Sequence, residues 1–212
     1  MGRWQLGAGE RLERAALELF LAQGFDVTTV PQITARAGLT TRTFFRHYAD
    51  KREVVFGGVD FVQEFVVREV TGAPASATPM DAVASAYQAV GANFQENIER
   101  FRQRQRVIDA TPELQARELG KLAVIASKVA EALRERGVAD SAATLTAEIG
   151  TLVFRLTFER WLNRQGLHDW SDLFSELRHE AGTVIVGASS GVKPGGLAGS
   201  DQARIGLDRS GE

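Results

Sequence analysis

The feature that most constrains this chain is a pair of short helix signals on either side of one glycine, within Thr28–Glu53. Thr29 and Gln32 form a capping-box pattern, in which the threonine hydroxyl accepts from the Gln32 amide and the Gln32 side chain reaches back to Thr29. Gly38 is suited to end the first helix, and Thr40 is placed to cap the second. This arrangement predicts a helix-turn-helix, whose second helix can enter a DNA major groove.

The second of these helices, predicted from about Thr41 to His47, has two different faces. At 100° per residue, Phe45 lies on one side of the helix and Phe44 lies nearly opposite, one turn before Tyr48. We therefore predict that Phe44 and Tyr48 point inward, whereas Phe45 points outward between Arg42 and Arg46. An exposed aromatic ring between two arginines indicates that something binds there.

Helical periodicity continues along the rest of the chain, and no convincing alternating strand is present. We predict an all-α fold of about nine helices, with an N-terminal three-helix head and a C-terminal helical domain for ligand binding and dimerisation. The predicted fourth helix runs from Asp50 to about Val70, buried on more than one side, with a weak point at Gly57-Gly58. The predicted domains are a helix-turn-helix domain at 1–51, a helical body at 52–186 and a disordered, glycine-rich tail at 187–212.

Composition narrows the class of protein further. The chain has 212 residues, of which 44% are hydrophobic and 25% charged, an ordinary balance for a globular protein. It contains no cysteine, which excludes disulfide bonds, thiolate metal sites and cysteine nucleophiles. Residues 1–51 are net +2, with seven Lys or Arg and five Asp or Glu; the whole chain is −2, so the remainder is −4. A basic head on an acidic body is typical of a DNA module attached to a part that does not contact DNA.

The chain shows no targeting or membrane signal. No apolar run approaches the ~18 residues that could span a bilayer, and the N-terminus lacks the apolar centre of a secretory signal. We therefore expect a cytoplasmic protein that does not associate with membranes.

The last two predicted helices have more apolar surface than packing against the chain's own core through one face would bury. The predicted helix at about 141–164 has one aliphatic stripe and one aromatic stripe, and the final helix at about 169–186 adds more. Because one stripe needs a partner, we predict a homodimer interface; the alternative is burial within the chain's own bundle. The predicted interface residues are Leu145, Ile149, Leu152, Leu156, Trp161, Leu173, Leu177 and Val184.

The head resembles the TetR family of bacterial regulators. The residues that carry the resemblance are Gly24-Phe25, Thr29-Val30, Ile33, Ala37-Gly38, Leu39-Thr40, Thr43-Phe44-Phe45, His47-Tyr48 and Lys51. The resemblance implies an all-helical protein in which three N-terminal helices form the DNA-binding head. It also implies a fourth helix that joins the head to a ligand-binding, dimerising body.

The resemblance also implies DNA contacts, position by position. The phosphate contacts that it implies are Thr29, Thr40, Thr43, His47 and Lys51, and the base-reading residues are Thr41, Arg42 and Phe45. We also predict a phosphate contact at the outward-facing Arg46. Two positions depart from the family. The family usually has tyrosine at Phe45, so a hydroxyl contact is lost and the ring is suited to a thymine methyl. It often has a small residue at Arg42, where the guanidinium here offers a bidentate contact to guanine.

The body resembles the family in helix layout, which implies a largely apolar ligand pocket suited to an elongated hydrophobic effector. The candidate lining residues, which are otherwise simple core, are Phe61, Phe65, Tyr87, Phe94, Phe101, Phe154 and Phe158. A basic run follows the linker at 71–79 and consists of Arg100, Arg102, Arg104 and Arg106. Its default interpretation is a solvated face; the alternative is that some members bind an anionic effector, such as the phosphates of an acyl-CoA.

Catalytic and metal-binding patterns are absent from the sequence. There is no phosphate-cradling G-x-x-x-x-G-K-[ST], no G-x-S-x-G and no GxGxxG after a strand, and no two histidines stand at zinc-ligand spacing. We therefore predict no enzyme activity, no catalytic residue, no metal and no cofactor. The expected function is that of a ligand-responsive, homodimeric transcriptional repressor, released from a pseudo-palindromic DNA operator by a small, largely apolar effector. The alternative is a helical small-molecule-binding protein or enzyme with a helix-turn-helix that does not bind DNA.

Overall fold

The computed structural model describes residues 7–92, 94, 97–163 and 169–187. Within these residues the chain forms nine α-helices and one 3₁₀ turn, Glu53–Phe56. The helices are α1 Ala8–Gln23, α2 Val30–Ala37, α3 Thr41–His47, α4 Val59–Gly72, α5 Pro79–Ala92, α6 Ile98–Asp109, α7 Pro112–Glu135, α8 Asp140–Asn163 and α9 Trp170–Val186. The all-α prediction is confirmed. The predicted tail, apart from Gly187, lies outside the described residues.

The head is built from α1, α2 and α3, and its caps are those that the sequence indicates. The Thr29 backbone N–H donates to Gln32 Oε1 at 2.8 Å, and the Gln32 N–H donates to Thr29 Oγ1 at 3.4 Å. Gly38 ends α2 in the left-handed conformation, with φ of 64°, which costs glycine no Cβ clash. Thr40 Oγ1 then accepts from the Thr43 N–H at 3.1 Å and caps α3. These local bonds position α3 across the turn from α2.

The predicted single helix from Asp50 to Val70 is wrong, because the chain breaks in two at the paired glycines. Glu53–Phe56 forms a 3₁₀ turn, and α4 begins only at Val59. Gly58 has φ of 88°, a left-handed conformation that side chains with a Cβ seldom adopt. The expectation that this helix is buried on several sides is also wrong: Phe61 is 64% exposed, whereas only Val66 and Val70 of α4 are fully buried.

The body consists of α4 to α9 around one apolar core. Its centre is an aromatic cluster in which Tyr87 of α5 stacks on Phe154 of α8, with ring centroids 4.7 Å apart. Trp161 and Trp170 join it, with ring centroids 6.0 Å apart. The sequence predicts a helical stripe from Val83 through about Arg100, but α5 ends at Ala92 and α6 begins at Ile98.

The head and the body share an apolar core. Val54, Val55 and Phe56 of the 3₁₀ turn are at most 4% exposed, and they cluster with the buried residues of α1. Val107 and Ile108 of α6 belong to the same cluster, as does Leu114 of α7. Residues 1–51 alone therefore do not close the core of the head.

Charged groups surround this shared core. Arg52 bridges Asp50 and Glu113, and Glu53 pairs with Arg117 and Lys121 of α7. The side-chain hydrogen bond from Arg52 holds the pKa of Asp50 below its ordinary value. Burial raises the pKa of Glu53, but hydrogen bonds from Lys121 and Arg117 outweigh that effect and leave this pKa lowered. Both carboxylates therefore stay ionised at neutral pH and hold the head against α7.

Candidate DNA-binding face and effector cavity

The short helix α3 presents opposite faces through two neighbouring phenylalanines. Phe44 is 0% exposed and packs in the head core, whereas Phe45 is 56% exposed. Thr41, Arg42 and Arg46 are exposed together with Phe45. The Phe45 and Phe44 rings are packed edge to face, with centroids 5.4 Å apart, so the exposed ring is anchored to the buried one. The exposed face of α3 therefore combines an anchored apolar ring with two guanidinium groups, which can donate to acceptors on base edges or phosphates.

The predicted phosphate contacts other than Lys51 lie at or beside this face. Thr29 and Thr40 occupy the N-caps of α2 and α3, and both are exposed. The Thr40 and Thr43 hydroxyls are 3.0 Å apart and share one hydrogen bond, so one of the two hydroxyl protons is left to donate outward. His47 is exposed at the end of α3. These positions suit phosphate contacts, which remain a prediction.

Lys51 is bound within the head in this structure. Its Nζ donates to three backbone carbonyls, at 2.7 Å to Phe25, 3.2 Å to Asp26 and 2.9 Å to Thr28. The ammonium also lies 4.1 Å from the centroid of the Phe25 ring. Because an ammonium has three N–H donors, none remains for a phosphate in this conformation. These internal bonds fix the turn between α1 and α2, and the phosphate contact, which would have to replace one of them, stays a prediction.

Two side chains of α1 position the head, and neither was predicted from the sequence to do so. Arg11 donates to the carbonyls of Ala37 and Gly38 and so satisfies the end of α2 at the turn into α3. Gln23 donates to Thr28 Oγ1 at 3.0 Å, beside the N-terminus of α2. A basic residue facing the carbonyl end of a helix is a common stabilising device. Arg11 is 26 residues from Ala37, however, and no spacing rule links them.

A cavity of about 440 Å³ lies at the junction of the head and the body, a size typical of ligand sites. Its walls come from α1, the 3₁₀ turn, α4, α6, α7 and α8. Five of the seven predicted lining residues do line it: Phe61, Phe94, Phe101, Phe154 and Phe158.

The other two predicted lining residues do not line this cavity. Tyr87 is 0% exposed, and its hydroxyl shares a 2.7 Å hydrogen bond with Thr151 behind the stacked Phe154 ring. Phe65 packs against the body core under the Arg68 guanidinium, 4.9 Å from the ring centroid. Tyr87 is thus buried inside the bundle, whereas Phe65 is half-buried on its surface.

Most of the charged side chains that line the cavity are held in ion pairs. Arg104 donates to Glu118 at 2.9 Å and to the Val55 carbonyl at 2.9 Å. The side chain of Arg104 is 15% exposed, so the interpretation of the basic run as a solvated face is wrong for this residue. The other pairs join Arg100 to Glu13, Lys121 to Glu53 and Arg155 to Glu159. An anionic ligand would therefore have to compete with a carboxylate for any of these cations.

The predicted dimer residues fall into two groups. Leu145, Leu152 and Val184 are 61%, 45% and 79% exposed, and Ile149 and Leu156 are half-buried beside them on α8. Trp161, Leu173 and Leu177 are at most 4% exposed, because they fill the chain's own core. These three cannot meet a partner without opening the bundle, and their assignment to an interface is wrong.

The described residues hold no group of three or more His, Asp or Glu side chains arranged for a metal ion. No helix in this part of the chain is long and apolar enough to cross a membrane. The molecule combines an exposed helix-turn-helix face with a cavity between head and body whose walls are aromatic and charged. This combination defines the class of all-helical proteins with an N-terminal helix-turn-helix head and a larger helical body.

Comparison with known proteins makes the class specific. Residues 13–56 match the model for bacterial regulatory proteins of the tetR family, and residues 77–181 match the MftR C-terminal domain. The chain belongs to the TetR family of bacterial regulatory proteins.

Two relatives share sequence with this chain. The HTH-type transcriptional regulator TcmR of Streptomyces glaucescens is 42% identical over 81 residues, which are 38% of this chain and 36% of TcmR. MftR of Mycobacterium tuberculosis, described as a candidate regulator of mycofactocin biosynthesis, is 33% identical over 118 residues, 55% of this chain and 59% of MftR. The matched regions thus span less than two thirds of either relative.

Solved structures with the same fold include two repressors. FadR of Thermus thermophilus, solved in complex with lauroyl-CoA, superposes with a TM-score of 0.53 at 22% identity and covers 89% of this chain and 100% of FadR. NalD of Pseudomonas aeruginosa, the secondary repressor of the MexAB-OprM multidrug efflux pump, gives 0.56 at 16% identity, with coverage of 82% and 94%. At these identities the likeness concerns the fold.

Proposed function

We propose that this protein is a DNA-binding transcriptional repressor that responds to a small-molecule effector. The observation that carries the proposal is the exposed face of α3, where Thr41, Arg42 and Phe45 project opposite the buried Phe44. An exposed, anchored ring between guanidinium groups on a short helix has the chemistry needed in a major groove. Membership of the TetR family supports this function, and a repressor of chromosomal genes would act in the bacterial cytoplasm.

We propose that the active form is a homodimer on a pseudo-palindromic operator. The stripe of Leu145, Leu152 and half-buried Leu156 on α8 leaves apolar surface that a second copy would cover. Two heads would then place their α3 helices about one helical turn, ~34–36 Å, apart along the DNA. Sedimentation of the full chain tests the dimer, and a species of monomer mass at micromolar concentration would contradict it.

The cavity is the proposed effector site. The phenylalanine side chains that line the cavity suit a largely apolar ligand, and the lining includes both head and body residues. A bound molecule therefore contacts α1 and the 3₁₀ turn as well as α6, α7 and α8. The effector can change DNA binding only if its affinity differs between two conformations in which the head is positioned differently. Because the cavity is lined by both head and body, moving the head would change the contacts made by the effector and therefore its affinity.

Selection of genomic DNA fragments bound by the full chain tests the proposed function. We expect enrichment of one inverted-repeat sequence. The competing interpretation is a helical small-molecule-binding protein or enzyme whose helix-turn-helix does not bind DNA. An enriched pool with no common sequence would support that alternative and contradict the proposal.

Arg42→Ala is expected to relax the operator sequence at one base position in each half-site and to cost ~1–3 kcal/mol of binding free energy. The physical reason is that an exposed guanidinium can donate two hydrogen bonds to guanine, which alanine cannot replace. Repeating the selection with this variant measures the change. An unchanged sequence preference would show that Arg42 does not contact a base.

Lauroyl-CoA serves as the probe for an effector with an acyl chain and phosphates. If its phosphates use the cavity wall, Arg100→Ala and Arg104→Ala should weaken its binding by roughly tenfold each, the loss of one charged hydrogen bond. Arg106→Ala is the matched control, because Arg106 is on the same helix but pairs with Glu99 and does not line the cavity. Isothermal titration gives the affinities. Equal losses in all three variants, or no binding at all, would exclude this class of effector.

A further inference from the structure

The carboxylate of Glu13 lies where the head, the glycine break and the cavity meet. Its side chain is 13% exposed, and the residue lines the cavity from α1. The Tyr48 hydroxyl donates to Glu13 Oε1 at 2.8 Å. Arg100 of α6 donates through Nη2 to the other oxygen, Oε2. One carboxylate in the head thus holds a cation of the cavity wall and the tyrosine that follows α3.

Gly57 leaves room for this carboxylate. Its φ of −53° is open to any residue, so the glycine is not required by backbone conformation. A Cβ at Gly57 would lie 2.0 Å from Glu13 Oε1, however. A side chain here would therefore displace the Glu13 carboxylate, which lies directly against the break between the 3₁₀ turn and α4.

Tyr48 connects this carboxylate to the recognition helix. Its N–H donates to the Phe44 carbonyl at 2.9 Å and closes the last turn of α3. Its ring lies 5.5 Å from the ring of Phe44, centroid to centroid. Burial raises the pKa of Tyr48 to about 12, so the hydroxyl remains a donor at neutral pH. The other acceptor of this hydroxyl, the Gly9 carbonyl, is farther away at 3.3 Å, so a shift of Glu13 is expected to act on Tyr48 and through it on the end of α3.

We propose that Glu13 is a positioning residue that couples the cavity wall to the recognition helix through the chain Arg100–Glu13–Tyr48. While Arg100 holds Glu13, the carboxylate fixes Tyr48 and the C-terminal turn of α3 stays ordered. An effector group that draws the Arg100 guanidinium into the cavity releases Glu13, and α3 loses that support. The proposal rests on the proposed function, because it takes α3 to be the DNA reader and the cavity to be the effector site.

The other charged groups near Glu13 do not take part in the Arg100–Glu13–Tyr48 contacts. Arg104 is held by Glu118 and the Val55 carbonyl, and Lys121 is held by Glu53. These pairs join the body to itself or to the 3₁₀ turn, whereas the Arg100 pair joins the body to α1. Arg155 pairs with Glu159 on its own helix, so among the described cations that line the cavity it is Arg100 whose ion pair reaches α1.

The test uses the full chain without any ligand, because Arg100→Met imitates an effector that has drawn the guanidinium away. We expect the backbone amides at 43–48 to exchange with deuterium roughly fivefold faster or more, and operator affinity to fall by a similar factor, the low end of measured couplings between sites. Arg100→Lys keeps a cation within reach of Glu13 and should restore most of both properties. Arg106→Met, on the same helix but paired with Glu99, should match the wild type.

A double-mutant cycle identifies the path. Tyr48→Phe keeps the ring against Phe44 but removes the hydroxyl that donates to Glu13. If Glu13 transmits the effect, Arg100→Met and Tyr48→Phe together should weaken operator binding by clearly less than the product of their separate factors. Independent, multiplying factors would overturn the proposal, and so would wild-type exchange at 43–48 in Arg100→Met. If the wild type selects no operator, the proposed function fails, but the exchange measurement still decides whether Arg100 is coupled to α3.

Discussion

Phe44→Ala should reduce the folding stability of the head, whereas Phe45→Ala should reduce only its affinity for DNA, although both residues are phenylalanines and are adjacent. Phe44 is 0% exposed in the head core, and removing a buried phenylalanine ring costs ~3–5 kcal/mol of folding free energy. Phe45 is 56% exposed, so its removal should change stability by less than ~0.5 kcal/mol. We expect Phe44→Ala to unfold the head near ambient temperature, whereas Phe45→Ala stays folded but binds its operator more weakly.

Chemical denaturation measures the first effect, and operator titration of the folded variant measures the second. Phe45→Tyr is the matched control, since it keeps the ring and adds the hydroxyl usual at this position in the family. It should retain the stability of the wild type and bind DNA at least as well. Equal destabilisation by both alanine substitutions would show that the two faces of α3 are wrongly assigned, and that the exposed ring does not contact DNA.

Lys51→Met is expected to destabilise the head by roughly 2–4 kcal/mol. The ammonium donates to three carbonyls, those of Phe25, Asp26 and Thr28, and a hydrogen bond to a charged group contributes ~1.5–3 kcal/mol. The expected total is well below three such bonds, because Lys51 is only half-buried and water can replace part of the loss. Methionine keeps most of the aliphatic stem, so the change isolates the ammonium. Urea denaturation of the full chain measures it.

Arg46→Met separates this internal role from a phosphate contact. Arg46 is exposed on α3, so its removal should leave stability unchanged. It should reduce the slope of log affinity against log salt by about 0.9, the value for one phosphate contact. If Lys51→Met instead shows wild-type stability and the lower salt slope, Lys51 contacts DNA. Its hydrogen bonds to the three carbonyls then contribute little to folding stability.

The head could be predicted in detail because its signals are local. The capping pair Thr29 and Gln32, the left-handed Gly38 and the Thr40 cap each involve residues within four positions of one another. The opposite faces of α3 follow from helix geometry alone. Lys51 lies outside this group: its carbonyl partners are 23 to 26 residues away. The resemblance to the family suggested a phosphate contact for Lys51. The folded structure instead shows its ammonium bound to backbone carbonyls of the turn between α1 and α2.

The body was predictable in layout and less so in detail. The apolar stripes on α8 and α9 indicated that this surface would be buried. They did not show whether a second copy or the chain's own bundle would bury it. Trp161, Leu173 and Leu177 turned inward, whereas Leu145 and Leu152 stayed exposed. Aromatic residues likewise could not be divided between cavity and core: Phe154 lines the cavity, while Tyr87 stacks behind it. Period and hydrophobicity assign a residue to a face, and only helix packing decides what that face meets.

By itself, the amino-acid sequence determined the all-helical architecture, the caps and turn of the helix-turn-helix and the outward face of α3, because each depends on interactions between near neighbours. The tertiary structure alone decided that the cavity lies between head and body, that Lys51 is bound internally and that Arg100 pairs with Glu13. The last two residues are 87 positions apart. Such contacts depend on how helices pack, and packing is set by the shape of the whole core rather than by any local pattern.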